Sequence, residues 1–79
     1  MGHDMRLIDI QPGQWVRIGY FDGGRKMENR LLQHGLYPGD RIRVVRVAPL
    51  HGPLLIDVNG REVAIGRGVA EKIIVETEE

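Results

Sequence analysis

Few side chains in this sequence have reactive or metal-ligating chemistry, and their spacing decides what they can do. The histidines are His3, His34 and His51. A metal centre needs at least two such donors converging with carboxylates, and none of these has a partner histidine at i+3, i+4 or an opposed hairpin position. His34 falls instead in the last turn of a predicted helix, where a cation complements the helix dipole. His51 falls beside a Gly-Pro turn. We therefore expect no bound metal and no cofactor. A covalent mechanism has no candidate nucleophile, because the chain has neither cysteine nor serine and its single threonine, Thr77, sits in the terminal "ETEE". No phosphate-cradling G-x-x-x-x-G-K-[ST] loop and no dinucleotide fingerprint occurs. These absences point away from an enzyme.

Arg41, Arg43 and Arg46 form the one grouping with the chemistry to hold phosphate. Eleven basic residues are balanced by eleven acidic ones, however, for a formal net charge of zero. Nucleic-acid binding draws most of its affinity from a basic surplus, so we expect no nucleic-acid partner. The arginines read better as a solvated strand face, with acidic neighbours such as Asp57 or Glu62 across a sheet. No apolar run approaches the ~18 residues that span a bilayer. The opening "MGHDMRLIDI" has no apolar h-region and no cleavage site. A cytoplasmic protein without direct membrane insertion is expected. At 79 residues, residues 1–79 form a single domain.

The elements that would position these groups are mostly strands. "QPGQWVRI" (11–18) and "YPGDRIRV" (37–44) each carry a Pro-Gly pair before alternating apolar and arginine positions. Proline fixes φ at the second turn position and glycine supplies positive φ at the third, so each pair predicts a type II turn opening a strand. In the first strand Val16, Ile18 and Tyr20 share one parity. In the second, the alternation slips after Val44, which predicts a β-bulge near Val44–Val45. "LHGPLLIDVNGREVAI" (50–65) reads as a hairpin with Asn59-Gly60 at its turn. Residues 73–76 make a further strand and Leu7 to Ile10 a short first one. Five to six short strands suit a small all-β barrel, closed or nearly so.

One short α-helix is predicted over 24–35, "GRKMENRLLQHG", and a further helical turn over 69–72. Gly35 suits the left-handed position past the helix end, with Leu36 folding back on Leu31 and Pro38 preventing continuation. Asp22-Gly23-Gly24 reads as a mobile loop and "ETEE" as a frayed acidic tail. Trp15 falls on the polar parity of its strand, which marks either a small cluster beneath the helix, the favoured cover, or a contact surface.

Met27 and Leu31 define one helical stripe, Leu32 points about 100° away, and Leu36 and Tyr37 follow at once. A small barrel can cover one stripe without covering all of these groups. Residual apolar exposure marks a partner surface, so Leu31, Leu32, Leu36 and Tyr37 are the candidate partner-binding residues. The alternative is that Leu31, Leu32 and Leu36 are all core. Weak self-association by strand addition at an open edge is also compatible with such a barrel.

The run "RLLQHGLYPGDRIRVVRVAPLHGPLLIDVNGREVAIGRGVAEKIIVE" (30–76) resembles the FeoA family of ferrous-iron uptake. The pieces that carry the likeness are "LLQHGLYPGD", "RIRVVRVAPL", "PLLIDVNG" and "VAEKIIVE", and "GQWVRIGYFDGG" fits the family's opening strand and glycine loop. The resemblance implies an SH3-like barrel. It also implies a partner, the cytosolic side of a FeoB-type membrane transporter that carries a G-protein domain. The same domain forms the C-terminal module of DtxR-type metal-dependent repressors, which implies the alternative of a freestanding regulatory or interaction domain. Two departures stand out. His34 replaces a usually apolar residue, and "PLHGP" places glycine at 52, where Pro-Leu-Gly-Asp-Pro is common and would place it at 51.

Overall fold

The structure, a computed structural model, describes residues 4–78. Its order is β1 (Asp4–Arg6), a 3-10 turn (Leu7–Asp9), β2 (Trp15–Phe21), α1 (Gly24–Gln33), β3 (Arg41–Val47), β4 (Leu54–Val58), β5 (Arg61–Ile65), α2 (Arg67–Ala70) and β6 (Ile73–Thr77). The strands form one antiparallel sheet in the order β1-β6-β2-β3-β4-β5. The sheet wraps around one core as a small SH3-like barrel, the all-β class expected from the strand pattern.

Both Pro-Gly pairs make the predicted turns. Gly13 and Gly39 have φ of +89° and +95°, and the turns close through Gln14 N to Gln11 O at 3.1 Å and Asp40 N to Tyr37 O at 3.0 Å. Asn59 and Gly60 are both left-handed, as a two-residue hairpin turn requires. The bulge in β3 also lies where the alternation slips: Val44 pairs Ile56 and Arg46 pairs Leu55, leaving Val45 as the extra residue.

A second bulge was not foreseen. In β2, Ile18 pairs Val75 but Tyr20 pairs Ile74, so Gly19 is the inserted residue. An added side chain at Gly19 would stand 3.3 Å from the Ile74 carbonyl, which glycine avoids. The slip reverses parity beyond Gly19. Phe21 enters the core, and Tyr20, expected to share the inward side with Val16 and Ile18, is 52% exposed.

Three local expectations are corrected. Leu7 to Ile10 is not a strand: Ile10 N bonds Leu7 O at 3.1 Å and the segment coils as a 3-10 turn. A strand would send Leu7 and Ile10 to opposite faces, whereas a 3-10 turn aligns i with i+3 and buries both. The second helical turn begins two residues early, at Arg67. The acidic segment is not frayed through Glu78, since Glu76 and Thr77 lie in β6 and Glu78 bonds Arg41. The core joins Val16, Ile18, Ile42, Val44, Leu54, Ile56, Val58, Ile73 and Val75 from the strands with Leu31 and Leu36 from the helix end. Each fully buried aliphatic side chain is worth roughly 1.5–3 kcal/mol.

Candidate partner-binding surface

The end of α1 is built as the glycine predicted. Gly35 has φ +84°. Leu36 N bonds Leu31 O at 3.0 Å, and Gly35 N bonds Leu32 O at 3.0 Å. This pair of bonds is the Schellman arrangement, and it turns the chain sharply enough for Leu36 to fold back beside Leu31.

The same geometry narrows the predicted surface. Leu31 is 4% exposed and Leu36 fully buried, so neither can touch a partner directly. The stripe formed by Leu31 is needed inside, as is common in a small domain with little else to bury. Leu32 is half-buried and packs against the rim of the core, as does Met27. Tyr37 alone of the candidates is largely free, at 51% exposure.

Tyr37 is presented on a rigid base. Its amide donates to Asp40 Oδ2 at 3.0 Å, while its carbonyl accepts the Asp40 amide. From the neighbouring strand, Ile18 N donates to Asp40 O at 2.8 Å and Ile18 O accepts Gly39 N at 2.7 Å. Arg17 Nη1 adds a bond to Gly39 O at 2.7 Å. The turn is thus fastened to β2 on its backbone side and leaves the phenol ring outward. A tyrosine held in this way can bury a large area at low entropic cost and still find a hydrogen bond.

The arginine face is largely neutralised. Arg43 faces Asp57 at 3.6 Å, the cross-strand partner expected. Arg41 Nε bonds both oxygens of Glu78 at 2.9 Å, and Arg17 lies 3.9 Å from the same carboxylate. Trp15 does not join the core cluster beneath the helix. Its ring lies against the guanidinium groups of Arg41 and Arg43, 4.1 and 5.2 Å from its centre, and Trp15 pairs directly with Arg43 across the strands. The cation-π contact gives the half-buried indole its cover.

Among the described residues no group of three or more His, Asp or Glu side chains is placed to hold a metal ion. His34 and His51 are both exposed, on different loops, and His3 lies outside the described residues. No described helix is long and apolar enough to cross a membrane.

Two apolar features were missed from the sequence. Leu50 is 96% exposed at the tip of the β3–β4 loop. Met5 and Tyr20, also exposed, line a cleft of roughly 350 Å³ with Asp4, Arg6, Asp9 and Ile74. The glycine inside β2 was the available signal for Tyr20, since an isolated strand glycine suggests a bulge.

Comparison with known proteins gives this surface its context. A family model described as the FeoA domain matches residues 5–77. The chain belongs to the FeoA family. It is 37% identical over 73 residues to a putative Fe(2+) transport protein A of Methanocaldococcus jannaschii, covering 92% of this chain and 87% of that one. Among solved structures it is similar to an iron uptake regulatory protein, FeoA, with TM-score 0.83 and 32% identity, covering 92% of this chain and 95% of that chain. It is also similar to an iron(II) transport protein A from Clostridium thermocellum, with TM-score 0.85 and 30% identity, over 92% of this chain and 45% of that chain. The same fold recurs at lower identity. T. acidophilum IdeR matches with TM-score 0.83 and 24% identity, over 95% of this chain and 34% of that one.

Proposed function

We propose that this protein is a cytoplasmic accessory of ferrous iron uptake that docks on the cytosolic part of a FeoB-type transporter and modulates it. The observation that carries this reading is the match to Fe(2+) transport protein A over nearly the whole of both chains. Tyr37, held outward by the Asp40 and Ile18 bonds, and the half-buried Leu32 of the helix end supply the contact surface. Leu31 and Leu36 support that surface from within. The balanced charge favours a protein partner over nucleic acid. Pull-down with the purified cytosolic part of the cognate transporter tests the proposal. Retention of the wild-type protein is expected. No retention in either nucleotide state of the transporter's G domain overturns the docking role.

A second reading is a freestanding regulatory domain related to the repressor modules. It is favoured by the fold shared with T. acidophilum IdeR and with a manganese-dependent transcriptional repressor, which matches with TM-score 0.87 and 18% identity. This chain spans only 34% and 44% of those proteins. Under this reading the protein is retained by a repressor lacking its own terminal module and not by the transporter.

A further inference from the structure

The β3–β4 loop carries a leucine that its own fold has no use for. Ala48 N bonds Pro53 O at 3.0 Å and Gly52 N bonds Pro49 O at 3.1 Å, closing a tight turn with Leu50 and His51 at its centre. Both central residues are left-handed, with φ of 59° and 58°. Turns of this kind favour asparagine, aspartate and glycine, and a leucine there is strained. At 96% exposure Leu50 recovers nothing from its own chain. Strain held at an exposed apolar tip fits a contact with another molecule.

The same protein offers a receptor for that tip. The cleft between β1, β6 and β2 is lined by the apolar Met5, Tyr20 and Ile74, and by Asp4, Arg6 and Asp9. Arg6 Nη1 is engaged with the Glu71 carbonyl at 2.9 Å and keeps its charge, and with two carboxylates against that one cation the rim carries a net negative charge. On the tip side Arg46 is exposed and makes no ion pair among the described residues. It ends the bulge just before the loop, beside the exposed Val47. An apolar tip with a cation four residues before it thus matches an apolar cleft with a net negative rim. Leu50 does not occupy the cleft of its own molecule, because it is nearly fully exposed.

We propose that the protein self-associates head to tail, with Leu50 of one copy seated in the Met5–Tyr20–Ile74 cleft of the next and Arg46 set against Asp4 and Asp9. Tip and cleft are different surfaces, so a pair keeps one tip and one cleft free and the contact propagates without closing at a dimer. The interface is far smaller than a standard one, and a Kd of about 0.1–1 mM is expected. This surface is separate from the Tyr37 turn, and the proposal stands independently of transporter docking.

Sedimentation of the full chain between about 10 µM and about 1 mM tests it. The wild-type mean mass is expected to climb past two protomers. Leu50→Gly keeps the left-handed turn and removes the tip. Tyr20→Arg fills the cleft and cancels the net negative charge of its rim, with Met5→Lys as a second cleft variant. Each variant alone is expected to stay monomeric, with association weakened at least tenfold. An equal mixture of Leu50→Gly and Tyr20→Arg still pairs one intact cleft with one intact tip, and its mass is expected to stop at two protomers. A wild type that remains monomeric or stops at two overturns the proposal. So does Leu50→Gly associating like wild type, or a mixture of folded variants that stays monomeric.

Discussion

Arg61 Nη2 donates a 2.7 Å hydrogen bond to the carbonyl oxygen of His34, which fastens the edge strand β5 to the C-terminal end of α1. The last carbonyls of a helix lack intrahelical partners, and a cation at this end also complements the helix dipole. The bond passes through space that Gly35 leaves open, since a side chain there would meet the Arg61 guanidinium. One contact thus joins the helix end carrying Leu32 and Tyr37 to the far edge of the sheet.

Removing that contact has a measurable cost. Arg61→Ala is expected to lower stability by about 1 kcal/mol, from the lost bond and the lost dipole interaction. In urea the midpoint should fall without a change in slope, because the surface exposed on unfolding is unchanged. On heating, a loss of this size corresponds to a decrease of about 4–8 °C for a domain of this length. Arg61→Lys should restore part of the loss, as a cation without the planar fork. An unaltered midpoint for Arg61→Ala would show that the bond contributes nothing net.

The position of Gly35 predicts a specific non-additivity. Gly35→Ala carries two penalties: the left-handed φ, worth about 1–2 kcal/mol, and displacement of Arg61 from its bond. In an Arg61→Ala background only the first remains. The second substitution should therefore cost less than in the wild-type background, with a coupling of about 0.5–1 kcal/mol. Urea unfolding of the four proteins measures this directly, and strictly additive losses would contradict the contact.

Much of this arrangement could be read from the residues. Pro-Gly, Asn-Gly and the glycine after α1 each demand one backbone conformation, so the turns at 12–13, 38–39, 59–60 and 35 followed from local chemistry. The bulge at Val45 was legible because alternation breaks within a run of large side chains. The bulge at Gly19 was not, because glycine has no side chain whose direction could reveal the slip. The 3-10 turn at Leu7 hid in a short apolar run that both a strand and a turn can accommodate. Exposure was harder still. The sequence set Leu36 against Leu31 but left open whether that pair faces the core or a partner, and the structure buries both and leaves Leu32 half-buried. At Leu50 the sequence offered a Pro-flanked loop with glycine one place late. The structure shows that His51 adopts the left-handed φ itself.

That loop makes Leu50 an exception among the leucines. Leu50→Gly relieves a left-handed penalty of about 1–2 kcal/mol, offset by about 0.5–1 kcal/mol from the freer unfolded chain. The variant should be as stable as wild type or up to about 1.5 kcal/mol more stable. Leu36→Ala, at a fully buried site, should lose about 2–5 kcal/mol. Thermal unfolding of the two variants side by side checks the contrast. A destabilised Leu50→Gly would mean that the leucine side chain serves its own fold after all.

The last prediction separates the surface of the α1 end from its support. Tyr37 is half exposed, and its side chain makes no hydrogen bond among those described. Tyr37→Ala should therefore change stability by no more than about 0.5 kcal/mol. If Tyr37 anchors the transporter contact, the same change should weaken binding at least tenfold, since exposed tyrosines that become buried at an interface centre dominate its energy. Asp40→Ala removes the carboxylate that holds the Tyr37 amide but leaves the phenol in place. It should weaken binding less than Tyr37→Ala, through a looser turn, because the ring itself remains. Titration calorimetry against the cytosolic part of the transporter, with unfolding curves on the same samples, measures both quantities. Tyr37→Ala binding as wild type while folded would remove Tyr37 from the contact and leave Leu32 as the remaining predicted residue with an accessible face.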